Sequence, residues 1–166
     1  MDTREFSKLI GESLQAAQFK RDGTAYHWRS EQLIWVVEPE RRRGEAKWSL
    51  CIGCLSRALE PSEESPHENE CHLISEYVYF GESVPEAAVG TRFDDHRSYF
   101  TMAFDLDHDL ISDEERRAAV LFAARDLAER MGAVRTVDDL AGLLRRKELV
   151  NAFVHRDLKE LMQNLQ

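Results

Sequence analysis

The chain has 166 residues, 43% of them hydrophobic and 32% charged, which are the proportions of a soluble globular protein of one domain spanning 1–166. Its 22 Lys and Arg against 31 Asp and Glu leave a net charge of −9. That argues against nucleic acid or an anionic membrane as a partner, because counterion release needs a basic surface. No apolar run approaches the ~20 residues needed to span a bilayer. Three cysteines and a charged start at Asp2, Arg4 and Glu5 point to a reducing, cytoplasmic setting rather than a disulfide framework.

Phe6, Leu9, Ile10, Leu14 and Ala17 recur at helical spacing behind a capping box of Asp2 and Glu5, predicting an amphipathic first helix over 2–18. Asp22-Gly23 marks a turn. Beyond it Tyr26 and Trp28 alternate with His27 and Arg29, and Leu33 to Val37 is continuously apolar, so two strands follow. The stretch 38–44 reads as a polar loop carrying Pro39, Arg41, Arg42, Arg43 and Gly44, and Trp48, Leu50, Ile52 and Cys54 give a third strand with one bulky face. Residues 60–69 are a hydrophilic loop and 71–80 a fourth strand. No period is evident over 81–96, with a short extra element at 99–104. Ser112 with Glu115 caps a long helix ending at Met131, where Gly132 stops it. Thr136 caps another helix through Leu144, and Leu158, Leu161, Met162 and Leu165 imply a last amphipathic helix.

The fold class is therefore α+β: a mainly antiparallel sheet of about four strands packed against the N-terminal helix and the long helix of the C-terminal half, with further helices at the C-terminus. The core should contain Trp28, Trp35 and Trp48, and 145–166 reads as a peripheral helical tail. That tail, with Val150, Phe153 and Val154, packs on its own domain or on a second subunit; the oligomeric state stays open.

The acidity is concentrated. From Glu60 to Glu114 there are fifteen acids and two bases, Arg92 and Arg97, so this block carries −13 and the rest of the chain +4. Such a block is either a solvated connection or the face that meets a basic partner.

Specific chemistries fare poorly. Cys51, Cys54, Cys71 and His72 have the residue types of a zinc site, but in extended strands residues three apart, or adjacent, point to opposite faces and do not converge. The Cys51/Cys54 pair also lacks the helix N-terminus of a redox CxxC, so buried structural thiols are the better reading. His67 and His72 are five apart where one helical face needs four. Asp105, Asp107 and Asp109 imitate a calcium loop, yet its sixth position is Leu110 and its twelfth Arg116. No two glycines are close enough for a nucleotide-binding loop. Glu38, Glu40, Asp94, Asp95 and His96 could be gathered into a catalytic pocket, although loop charge of this kind is usually solvated. Arg41, Arg42 and Arg43 could touch phosphate, against a solvated hairpin tip. No metal or cofactor is expected.

The order of features resembles a bacterial family known only as a domain of unknown function. The similarity lies in Phe6 with Leu9 and Ile10, the turn Gln18-Phe19-Lys20-Arg21-Asp22-Gly23, Thr24 with Arg29, the Cys71-His72 strand, and Phe104 to Asp107 before a long acidic-capped helix. It covers roughly residues 4 to 145 and departs at Gln18, where glycine is common, and at Val36-Val37-Glu38-Pro39. The resemblance implies an α+β fold and a bacterial cytoplasmic setting, and brings no reaction with it.

The leading expectation is a non-enzymatic interaction protein, most concretely an immunity-type neutraliser of a basic toxin domain. The residues expected to meet that partner are Glu63, Glu64, Glu68, Glu70, Asp94, Asp95, Asp105, Asp107 and Asp109. The alternative is an enzyme or small-ligand binder with a pocket between the sheet and the 81–96 loop.

Overall fold

In the computed structural model, which describes residues 1–78 and 96–165, the capping box of Asp2 and Glu5 starts helix α1 (Thr3–Ala16). Each cap side chain accepts the other's backbone N–H at 2.8 Å. The helix ends because Gln18 takes φ +73°, and the Phe19 and Gln18 amides then reach back to the Leu14 and Gln15 carbonyls at 3.0 Å. This is the left-handed termination that usually selects glycine. It also throws the chain directly into a short edge strand, β1 (Lys20–Asp22).

Turning at Gly23, φ +59°, β1 leads into β2 (Ala25–Arg29), β3 (Leu33–Arg41), β4 (Trp48–Ser56) and, after a 3₁₀ turn at Glu68–Glu70, β5 (Leu73–Glu76). Helices α2 (His96–Ala103), α3 (Asp113–Ala133) and α4 (Val137–Arg145) come next, then β6 (Val150–Val154) and α5 (Arg156–Gln163). Among the described residues the sheet has six strands in sequence order, every neighbour antiparallel.

Two strands go beyond the expected four. β1 is too short to show a period, and β6 lies where a helical tail was expected; it pairs with β5 at the sheet edge, Leu73 opposite Val154 and Ile74 opposite Phe153. The expected polar loop at 38–44 is corrected as well, because β3 continues to Arg41 in register with β4, Pro39 opposite Leu50. β2 pairs with β3 only as far as Val37, so among the described residues no strand pairs with that edge of β3 at Pro39, where a missing N–H is tolerated. Within the expected fourth strand the ladder covers Leu73–Glu76; residues 79 and 80, and the irregular stretch 81–95, lie outside the described residues. The short element near Tyr99 is α2.

Alternation sorts the strand residues onto two faces. Leu33, Trp35 and Val37, Leu50, Ile52 and Cys54, and Leu73 share one face with Phe6, Ile10 and Leu14 of α1 and Ala123, Leu127 and Met131 of α3. Trp35 is fully buried and its indole Nε1 donates to the Val134 carbonyl at 3.1 Å; Trp28 and Trp48 are half-buried at the margin of this core. Gly132 does not stop α3, which runs one residue further, to Ala133. A Cβ there would lie 3.4 Å from the Trp28 ring, so this glycine serves close packing. No helix among the described residues is long and apolar enough to cross a membrane.

Candidate functional site

The other face of the sheet is closed by the segment 57–72. Gly53 in β4 permits its approach, since a Cβ at that position would sit 2.6 Å from Cys71 Sγ and 3.1 Å from the Glu68 backbone. A small apolar cluster of Ala25, Ile34, Val36, Leu55 and Cys71 lies beneath the segment. Polar pins hold it down. Buried His27 meets the Pro66 carbonyl through Nε2 at 2.9 Å, Arg29 donates to the Glu64 carbonyl at 2.7 Å, and the Ser56 amide donates to His72 Nδ1 at 3.0 Å. Burial lowers the pKa of His72, and with Nδ1 accepting, the ring is neutral.

Beyond this cluster the face turns acidic. Glu38 continues the outward alternation of Val36 along β3 and lies opposite Cys51; it accepts from His67 Nδ1 at 2.6 Å and from the Glu68 amide at 3.3 Å. Glu40 accepts from the Cys51 thiol at 3.3 Å. Burial, reinforced by Glu38 and Glu40, raises the pKa of Glu68. His67 is the matching cation, its pKa raised chiefly by its bond to Glu38. Burial and then Glu40 push the Cys51 thiol up to about 12, and burial raises Cys54 and Cys71 as well. All three cysteines are free and held as thiols, the state least suited to metal ligation or nucleophilic attack. Among the described residues no three His, Cys, Asp or Glu side chains are placed to share a metal.

The expected partner-binding acids separate into groups. Glu68 belongs to the outer-face cluster. Glu63, Glu64 and Glu70 serve the segment itself: Glu63 accepts from the Ser65 amide at 2.9 Å, Glu64 pairs with Arg57 at 3.1 Å, and Glu70 accepts from the His67 amide at 2.7 Å. Asp105, Asp107 and Asp109 lie elsewhere, in the loop strapped to the start of β4 by Trp48 N–H to Phe104 O at 2.8 Å and Leu106 N–H to Ala46 O at 3.0 Å. Buried Arg116 gathers this loop by donating to the carbonyls of Met102, Ala103, Asp105 and His108, so its conformation is a lead-in to α3. Asp94 and Asp95 lie outside the described residues.

Glu38 and Glu40 are absent from the expected partner-binding set because they lie outside the acidic block 60–114; the usable signal is the period of two running through Pro39. The alternative reading, a pocket between the sheet and the 81–96 loop, falls mostly on residues outside the described ones. Among the described residues a cavity of about 230 Å³ is lined by Trp48, Leu50, Tyr77, Phe100 and Phe104 together with Arg42; His72 does not line it. No family model, curated protein or solved structure matches the chain.

Proposed function

We propose that the chain is a non-enzymatic interaction protein that receives a basic protein segment on the outer sheet face around Glu38, Glu40 and Glu68, most concretely an immunity-type neutraliser of a basic toxin domain. The observation that carries this reading is the gathering of these carboxylates on one face: Glu38 accepts the Glu68 amide at 3.3 Å, Glu40 stands two residues further along β3, and both reinforce the raised pKa of Glu68. Like charges held together on a partly buried surface cost stability, and a cationic side chain set between them relieves that cost while speeding encounter. The thiol beside them, held protonated by burial and Glu40, offers no nucleophile and supports recognition over catalysis.

The test is association with a lysine- and arginine-rich peptide, at low and at physiological salt. The wild-type chain is expected to bind it with a strongly salt-dependent on-rate. The double variant Glu40→Lys, Glu68→Lys should associate about tenfold more slowly with an unchanged circular dichroism spectrum. Equal on-rates for both proteins at low salt would remove this face as the site.

A further inference from the structure

On the helix side of the sheet lies a groove of opposite sign. Its volume is about 720 Å³, within the range of small-ligand sites. One wall is the exposed flank of α1, where Arg4 and Lys8 fall four apart; the other is the sheet, where Arg21 lies opposite Tyr26 and Arg41 opposite Trp48. Among the described residues four cations therefore line the groove with one acid, Glu12, in a chain whose net charge is −9. Among the described residues none of Arg4, Arg21 and Arg41 has an ion-pair partner, and only Lys8 reaches Glu12, at 3.6 Å. Arg21 and Arg41 spend their Nε on the Gly23 and Glu45 carbonyls, which fixes each guanidinium and leaves its outer nitrogens free to donate.

A neutral donor accompanies these cations in the groove lining. Tyr26 is 5% exposed, and its hydroxyl lines the groove with no hydrogen-bond partner among the described residues. The oxygen itself keeps access to solvent, so its proton is available to a molecule in the groove. The hydroxyl lies over Gly11 of α1, whose missing Cβ leaves the room: a Cβ there would be 2.4 Å from the tyrosine oxygen. A glycine in mid-helix costs stability, and here it opens the space that the hydroxyl occupies.

From this geometry we infer that the groove between α1 and the β1–β4 end of the sheet binds a small phosphorylated molecule, with Tyr26 Oη donating to a phosphate oxygen at the floor and Arg4, Lys8, Arg21 and Arg41 neutralising its charge. Guanidinium forks match phosphate oxygens two at a time, and four cations suit a di- or triphosphate better than a single carboxylate. The site is separate from the acidic outer face and stands or falls without it.

Calorimetric titration with pyrophosphate and with ATP at low salt tests the assignment on the intact chain. Saturable binding is expected, at least tenfold weaker in Arg41→Glu and severalfold weaker in Tyr26→Phe, which keeps the ring and removes the donor. The exposed Arg4→Glu provides a second charge reversal that leaves the core untouched and should weaken binding in the same direction. Absence of saturable binding, or binding unchanged in Tyr26→Phe and both reversals, would overturn it. So would preferential binding of single-stranded RNA with no response to either phosphate probe.

Discussion

Where α1 and α3 meet the sheet, Phe6, Ile10, Trp35, Val120 and Leu127 close the interface with large apolar side chains; where the 57–72 segment meets the opposite face, Ala25, Ile34, Val36, Leu55 and Cys71 form a much smaller patch and histidines and arginines pin the remainder. Apolar area scales with stabilisation at about 25 cal/mol per Å², so the helix side carries the fold. The outer side is held by geometry-sensitive bonds, each contributing about 1 kcal/mol net. It can therefore carry the crowded carboxylates Glu38, Glu40 and Glu68 without threatening the core. The two sides also divide the charge, acidic outside the sheet and basic between α1 and β1–β4.

The largest effect should come from breaking the helix side. Trp35→Ala removes a fully buried indole and its bond to the Val134 carbonyl; a loss of about 3–5 kcal/mol is expected in denaturant unfolding, with the whole sheet melting together. Gly53→Ala attacks the outer side alone. Its new Cβ would meet Cys71 and the Glu68 backbone, costing about 1–3 kcal/mol, and the expected signature is faster hydrogen exchange confined to 57–72. Uniform acceleration across α1 and α3 would mean that the two sides are one cooperative unit.

A smaller effect separates two histidines of the outer side by sign. His72, lowered by burial, binds fewer protons folded than unfolded below its ordinary pKa near 6.5. Its contribution is complete above that value and is lost as pH falls through the folded pKa. His67, raised by Glu38, does the reverse: its contribution is present below the ordinary value and lost as pH rises through the folded pKa. Its greater exposure makes the His67 effect the weaker one. Thermal unfolding between neutral and mildly acid pH should show stability falling with acidification, with a flatter profile in His72→Asn and a steeper one in His67→Asn.

Much of this architecture is legible in the sequence wherever a local signal and the tertiary outcome agree. The caps at Asp2, Ser112 and Thr136, the bulky face of β4 and the apolar run of β3 all declare themselves through side-chain chemistry that acts within a few residues. What is not legible depends on pairing. β1 and β6 are strands because a neighbour supplies their ladder, β3 passes through Pro39 because β2 has already ended, and Gly132 sits inside a helix because Trp28 needs the space. The candidate site divides in the same way. Glu68 belongs to the acidic block visible in composition, whereas Glu38 and Glu40 join it only through strand register, and Asp105 to Asp109 are drawn off to Arg116 and the start of β4.

The most direct measurement is a backbone amide NMR titration of the intact chain with the lysine- and arginine-rich peptide. The account predicts saturable shifts clustered at Glu38, Glu40, Cys51, His67 and Glu68, fading as salt rises. Shifts centred instead on Asp105, Asp107 and Asp109, or none at low salt, would contradict it.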